Sequence, residues 1–310
     1  MACIAYAAAL GVWIYLIGVP TDAVQLFAWL WLATIAWHIE APWRTHLHFV
    51  RDWWIPLVVL LIYLYSRGFS DEVQAVVHIT EPITFDRWLG GGTTPTEHLQ
   101  SALCGNPCTT AIAPRWYDVA LTAVYYSHFV AAPAIALVLW MRNRASWVPF
   151  MRRYIAINLA ALVVYIAYPM APPWMASEDG FLPSDIDRLT GRGWSEIGMG
   201  GFHLALANIG NPVAAMPSLH AGLATLVALY GVLRLRSAWR WALLLYPAAM
   251  SFMLVYYAEH YVLDILAGYL LAGVVLAGCA WWERRRNTAR THPEAVPVGV
   301  HELANDRENV

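Results

Sequence analysis

The sequence predicts an all-α integral membrane protein. Apolar residues make up 59% of the 310 positions and charged residues 13%, whereas a soluble domain carries about a quarter charged residues. Long apolar stretches also recur along the chain, and about 20 apolar residues allow a helix to cross the hydrocarbon core of a bilayer. Together these observations favour a bundle of transmembrane helices over a soluble fold.

Eight apolar stretches are interpreted as membrane spans. The first lacks a charged start and a small-residue cleavage site, so it predicts a span and not a signal peptide. The first two spans are predicted to form an N-terminal transmembrane hairpin, 1–51, and the others a core, 52–286. The eight spans are predicted at 2–19, 23–39, 52–67, 117–141, 152–169, 217–234, 239–257 and 260–282.

The placement of arginine orients the chain. Thirteen of the 19 arginines lie in four short segments, between spans two and three, four and five, six and seven, and after span eight. These segments share one side of the membrane, and the positive-inside rule makes that side cytoplasmic. The long connections 68–116 and 170–216 are therefore predicted to be extracytoplasmic, and the polar tail 287–310 to be disordered in the cytoplasm. The outer arginines are Arg67, Arg87, Arg115, Arg188 and Arg192.

Composition also excludes several kinds of function. The net charge is −2, so no overall positive field favours a nucleic acid partner. All 19 basic residues are arginine, and the absence of lysine excludes Schiff-base and lysine-nucleophile chemistry. Cys104 and Cys108 lie close together in a polar stretch, and a local disulfide is expected there if the loop faces an oxidising compartment.

The segment NPVAAMPSLHAG, 211–222, opens the sixth span with groups suited to an anion. Pro217 fits the first helical turn, where a missing N–H costs nothing. Ser218 and the free backbone N–H groups of that turn predict an anion-binding site. His220 lies in the same turn.

A second polar pair opens the eighth span. His260 and Asp264 are four residues apart, so they share one face of a helix. An aspartate can accept a hydrogen bond from one ring nitrogen, which leaves the other nitrogen as a neutral nucleophile or base. Span six runs inward and span eight starts outside, so His220 is predicted to meet His260 at the outer rim. We predict that these three residues carry catalysis.

The stretches PSLHA, 217–221, and HYVLD, 260–264, resemble the second and third signature motifs of the type-2 phosphatidic acid phosphatase superfamily. The resemblance implies a six-helix, phosphatase-like membrane core, here with about two further N-terminal transmembrane helices. It also implies that His260 attacks phosphorus and becomes a phosphohistidine, that Asp264 orients it, and that His220 protonates the leaving oxygen. It implies neither a metal nor a cofactor.

The chain departs from the usual superfamily pattern at its phosphate-binding cations. The first signature, a Lys followed by Arg-Pro, is absent, and Met253 and Leu254 stand where the third motif has Ser-Arg. This pattern resembles the branch of inositol phosphorylceramide synthase and sphingomyelin synthase, which transfers a phospho-headgroup between lipids. The stretches YYSHFVAAP, 125–133, and YPMAPPW, 168–174, are also similar to that branch, so the resemblance extends over residues 80–282.

The sequence leaves open which groups replace the missing cations. Arg87 and Arg115 are outer arginines placed to hold a phosphate, although either also fits the role of an interfacial anchor. His128, in the outer half of span four, either faces the site or is a buried, hydrogen-bonded histidine. Asn211 either caps span six or contacts a headgroup. Together with Ser218, these residues form the predicted substrate-binding set.

The sequence therefore predicts a multi-pass enzyme of the cell membrane with an extracytoplasmic site. It is expected to move a phosphoinositol-like headgroup from a lipid phosphate or phospholipid donor to an alcohol or lipid acceptor. A phosphodiester carries one negative charge fewer than a phosphomonoester, so the missing cations favour transfer over hydrolysis. Three alternatives stay open: a phosphatase acting on phosphatidate or polyprenyl phosphate, a metal site of two histidines and a carboxylate, and a non-catalytic lipid transporter or scaffold.

Overall fold

The computed structural model describes residues 1–18, 20, 23–68, 76–109, 112–183, 186–194 and 213–291. Regular structure in these ranges is helical, apart from two isolated β-bridges. The helices are α1 (Ala2–Leu16), α2 (Ala23–Trp37), α3 (Trp43–Gly68), α4 (Thr80–Leu89), α5 (Pro95–Leu103), α6 (Trp116–Arg142), α7 (Arg144–Ala167), α8 (Pro173–Glu178), α9 (Leu219–Arg234), a 3-10 helix (Ala238–Leu244), α10 (Leu245–Tyr256) and α11 (Val262–Thr291).

The predicted all-α membrane fold is confirmed. Among the described residues, α6, α7, α11 and the continuous segment Ala238–Tyr256 are long and apolar enough to cross a membrane, and α1, α2 and α9 are shorter apolar helices. Helix α3 runs unbroken across the predicted boundary at residue 51, and α11 continues to Thr291, past the predicted start of the tail. The remainder of that tail, 292–310, lies outside the described residues.

Short helices and bridged loops cover the end of the bundle where α9 and α11 begin. Helices α4 and α5 lie in the long connection that was predicted to be extracytoplasmic, and Cys104 and Cys108 form a disulfide at the end of α5. Met170 is bridged in parallel to both His78 and Ala214. These bridges bring the segments before α4, α8 and α9 together over the bundle.

The other end of α11 is held by charged side chains. Glu283 accepts a hydrogen bond from Arg153 at 2.8 Å and also contacts Arg152, both on α7. Arg153 is buried, and a buried charge of this kind requires a paired, hydrogen-bonded partner. The ion pair therefore joins α7 and α11 on the side that was predicted to be cytoplasmic.

Helices α9 and α11 approach each other closely at two glycines, Gly222 and Gly268. A methyl group added to Gly268 would lie 2.4 Å from the Ser218 carbonyl oxygen and 3.2 Å from the Gly222 nitrogen. Near this contact, the Ser218 N–H donates a hydrogen bond to the Asp264 carbonyl at 2.9 Å. The starts of the two helices are therefore held in one register.

We predict that Gly268→Ala destabilises the protein, because the added methyl meets backbone atoms that cannot move without shifting a helix. Overpacking of this kind costs about 1–3 kcal/mol. Thermal unfolding of the purified protein in detergent should show a midpoint several degrees lower. Gly273→Ala on the same helix is the matched control, because nothing lies within 4 Å of its added methyl. Equal midpoints for the two variants would contradict the close contact.

Candidate active site

The His260 ring lies against Asp264 at the start of α11. Nδ1 of His260 is 3.3 Å from Oδ2 of Asp264, and the two residues are 7% and 0% exposed. The same oxygen accepts a hydrogen bond from the Tyr261 backbone N–H at 3.0 Å. A carboxylate held in this way favours a proton on Nδ1, which leaves Nε2 with a lone pair suited to nucleophilic attack.

Helix α9 brings His220 to the same place. Ser218 caps this helix, since its Oγ accepts a hydrogen bond from the Ala221 N–H at 3.3 Å, and its own N–H is bonded to the α11 backbone. The ring centroids of His220 and His260 are 5.8 Å apart. The structure therefore places His220, His260 and Asp264 together, and their catalytic roles stay predictions.

Rings from α6 surround His220. Tyr125 stacks on it with 5.0 Å between ring centroids, and His128 lies 4.0 Å from it. Phe129 stands edge-on at 6.1 Å. His128 was predicted either to face the site or to be a buried, hydrogen-bonded histidine, and its contact with His220 favours the first interpretation. The contact of Tyr125 was missed, although this residue lies in the stretch YYSHFVAAP that carries part of the family resemblance.

A second buried carboxylate, also missed, supports the start of α11. Asp86 on α4 is 0% exposed, and its oxygens accept backbone N–H bonds from Val262 at 3.0 Å and Leu263 at 3.4 Å. The first N–H groups of a helix have no partner within the helix. Asp86 therefore caps α11 from another helix, as a local N-cap residue would do.

The environment of Asp86 changes its acidity. Burial raises the pKa of its carboxyl from 3.8 to about 6, and the charge of Asp264 adds to this effect. The N–H donors of Val262 and Leu263 favour the charged form and oppose the rise. Two carboxyl groups thus lie close together at the start of the helix that carries His260.

The remaining predicted binding residues are Arg115, Arg87 and Asn211. Arg115 begins α6 with its guanidinium 6.0 Å from the centre of the Tyr117 ring, and about 20 Å of helix separates it from His128. Arg87 is exposed in the last turn of α4. Asn211 lies outside the described residues. The binding roles of these residues stay predictions, and helix length weighs against Arg115.

The ligands for a metal ion are not assembled in the described part of the chain. No group of three or more His, Cys, Asp or Glu residues there is arranged to hold a metal. The two histidines and the carboxylate of the site are thus not placed as the metal alternative requires. Metal independence of the reaction stays a prediction.

The helical membrane bundle places a His–Asp pair and a second histidine at the starts of two packed helices, an arrangement suited to phosphate-ester chemistry. Comparison with known families identifies the class of protein. The chain belongs to the PAP2 superfamily, whose family model matches residues 106–278. The predicted superfamily is confirmed.

A curated relative supports the predicted branch of this superfamily. Over 173 residues the chain is 28% identical to the phosphoinositol dihydroceramide synthase of Bacteroides thetaiotaomicron. The match covers 52% of this chain and 56% of the relative, so the chain spans about half the length of that protein. No solved structure matches the chain.

We predict that titration of Asp86 changes stability between pH 4 and pH 6. Because its pKa is raised to about 6 in the folded protein, the folded state binds this proton more tightly than the unfolded state does. The resulting stability, at most about 3 kcal/mol, is present below about pH 4 and is lost as the pH rises to about 6.

Asp86→Asn cannot titrate, so the measurement is the difference in unfolding midpoint between wild type and this variant across pH 4–8. Wild type should lose stability relative to Asp86→Asn as the pH rises through the window, with a constant difference above it. Asp179→Asn, which alters an exposed carboxylate, is the control and should track wild type. A pH-independent difference for Asp86→Asn would show that the carboxyl titrates normally.

Proposed function

We propose that the protein is a metal-independent membrane phosphotransferase that moves a phosphoinositol-like headgroup from a lipid donor to a lipid alcohol. The observation that carries the proposal is the pairing of His260 with Asp264 beside the ring of His220. Membership of the PAP2 superfamily and the name of the curated relative support the substrate class.

The first step forms a phosphohistidine. The lone pair on Nε2 of His260 attacks phosphorus, and the bond from phosphorus to the donor's lipid oxygen breaks. That oxygen takes a proton from the imidazolium of His220, so the donor leaves as a neutral alcohol. Asp264 stabilises the positive charge that develops on the His260 ring. A separation of 5.8 Å between the ring centroids allows one phosphoryl group to contact both rings.

The second step returns both histidines to their starting states. The hydroxyl of the acceptor gives its proton to His220, and its oxygen attacks phosphorus while the P–N bond to His260 breaks. Covalent catalysis of this kind divides one difficult displacement into two easier ones. If water replaces the alcohol, the same steps give hydrolysis, so phosphatase activity is the nearest alternative.

Transfer is favoured over hydrolysis by the residues that stand where the superfamily has cations. Met253 and Leu254 are buried and apolar, and they replace the Ser-Arg of the third motif. A site with fewer cations suits a phosphodiester, which has a single negative charge. The distribution of arginine supports an extracytoplasmic site in the cell membrane, with both lipid substrates entering from the outer leaflet.

The proposed intermediate can be trapped. Purified protein is incubated with phosphatidylinositol labelled at phosphorus and then denatured. We expect label on the wild-type chain that survives alkali and is released by acid, because a P–N bond is acid-labile. His260→Ala should carry no label, and the control His48→Ala, which alters an exposed histidine on α3, should be labelled as wild type is. Label retained on His260→Ala would exclude this nucleophile.

Which donor labels the protein distinguishes transfer from hydrolysis. Parallel incubations therefore use labelled phosphatidate and labelled polyprenyl phosphate. Label from these monoesters alone, followed by release of inorganic phosphate, would replace the transferase with the phosphatase. Absence of label from every donor would favour the lipid transporter or scaffold. Undiminished turnover in a chelator is expected for a metal-independent reaction.

We further predict that Asp264→Asn lowers turnover by roughly 10³–10⁴-fold, as loss of the orienting carboxylate does in hydrolase triads. Turnover of wild type should follow a bell-shaped pH profile, because His260 must be neutral while His220 is protonated. Steady-state assays with phosphatidylinositol and a ceramide acceptor measure both. Near-normal turnover of Asp264→Asn would remove Asp264 from the mechanism.

A further inference from the structure

The missing phosphate-binding cations must be replaced from elsewhere, and the outer arginines are the available source. Arg115 lies about 20 Å along α6 from His128. Arg87 is exposed on α4, and its side chain makes no hydrogen bond or ion pair with the described residues. The side chain of Arg67 lies outside the described part of the chain.

Arg192 is already committed to interactions inside the protein. Its Nε donates to Oδ2 of Asp118 at 3.1 Å, and its Nη2 donates to the Ile112 carbonyl at 2.7 Å. Its Nη1 donates to the Thr109 carbonyl at 3.2 Å, and the side chain is 4% exposed. Arg192 therefore anchors the loops against α6 and has no free direction from which to meet a substrate.

Arg188 is placed differently, beside the turn that carries His260. Its Nε donates to Oε1 of Glu259 at 2.8 Å and its Nη2 donates to Oε2 at 3.3 Å. Glu259 is the residue immediately before His260. The guanidinium carbon also lies 4.7 Å from the ring centre of Trp174, in the stretch YPMAPPW. Arg188 thus contacts one family-like stretch directly and the residue that precedes the other, HYVLD.

The guanidinium of Arg188 keeps its charge. Although burial alone would lower the pKa of Arg188, the charge of Glu259 and its hydrogen bond to the guanidinium raise it. Arg188 therefore places a positive charge beside the residue that precedes His260.

The guanidinium of Arg188 has N–H donors that Glu259 does not use. It carries five N–H groups, of which Glu259 accepts two, and no other described residue accepts the remaining three. Its side chain is 36% exposed, on the side where α9 and α11 begin. A planar group of this kind can keep one carboxylate and still bind phosphate oxygens.

The backbone on both sides of the Arg188–Glu259 pair is fixed. Ala258 has a φ of 58°, and the bonds from Ala258 N–H to Val255 O and from Glu259 N–H to Leu254 O close a Schellman turn after α10. The Leu189 N–H donates to the Tyr257 carbonyl at 3.4 Å. Hydrogen bonds therefore fix the backbone next to Arg188 and the backbone that carries Glu259.

We propose that Arg188 binds the phosphate of the lipid substrate next to His260, in place of the missing motif cations. The assignment rests on the proposed function and names its substrate class. Glu259 offsets the charge of Arg188, so the site carries less positive charge than a clamp of two free cations. It therefore selects a phosphodiester with one negative charge over a phosphomonoester with two.

The test compares Arg188→Gln, Arg188→Lys, Glu259→Gln and Arg87→Gln in purified full-length protein. Steady-state rates with phosphatidylinositol as donor and ceramide as acceptor give kcat and KM, and phosphatidate hydrolysis is measured beside them. Arg236→Gln is the control for loss of one positive charge, because this arginine is exposed in the loop after α9. Thermal unfolding with and without orthovanadate, a phosphate analogue, reports binding without any lipid substrate.

We expect Arg188→Gln to lower kcat/KM about 10–100-fold, the range for a lost hydrogen bond to a charged group, chiefly through KM and with an unchanged unfolding midpoint. Orthovanadate should stabilise wild type and Arg236→Gln but not Arg188→Gln. Arg188→Lys should recover part of the loss, and Glu259→Gln should raise phosphatidate hydrolysis relative to transfer.

Three results would overturn the assignment. The first is wild-type kinetics and vanadate stabilisation in Arg188→Gln. The second is an equal loss in Arg188→Gln and Glu259→Gln with a lowered midpoint, which marks a purely structural ion pair. The third is a rise in KM for Arg87→Gln alone. If wild type turns over no lipid, the proposed function fails, whereas the vanadate measurement still tests Arg188.

Discussion

The site depends on one hydrogen bond between two helix starts, from the Ser218 N–H to the Asp264 carbonyl at 2.9 Å. This bond forms only because Gly222 and Gly268 let the backbones of α9 and α11 come close together. In an apolar bilayer, small residues and polar backbone contacts replace the hydrophobic effect as the source of close helix packing. A shift of either helix would separate His220 from His260, so the geometry of the site depends on this packing.

The same low-polarity setting explains how the buried carboxylates are held. An uncompensated charge inside a membrane protein is costly, and such groups are found paired or bonded to the backbone. Asp264 has the His260 ring and the Tyr261 N–H, and Asp86 has the N–H groups of Val262 and Leu263. Two carboxylates thus lie at the start of α11. Asp264 contacts the His260 ring, and Asp86 takes the place of a local capping residue.

The helices and the meeting of His220 with His260 and Asp264 were predictable because they rest on local patterns: apolar stretches, a spacing of four, and alternation of span direction. Asp86 was not, since its partner Val262 lies 176 residues away and no periodicity links them. The start of α3 was missed for a related reason. Hydropathy placed the start of the span at Asp52, whereas the helix begins at Trp43 and the charge of Asp52 is tolerated within it because Arg144 pairs with it at 2.9 Å.

In the proposed reaction, the start of α11 contributes little positive charge to the site. At α11, the carboxylates of Asp264 and Asp86 accept the first N–H groups, so the positive end of that helix dipole is offset by the protein's own anions. A phosphoryl group on His260 therefore gains little from α11. Its charge has to be met by protonated His220 and by Arg188, whose own charge is shared with Glu259. This limited supply of positive charge suits a diester with one negative charge better than a dianion, in line with the proposed headgroup transfer.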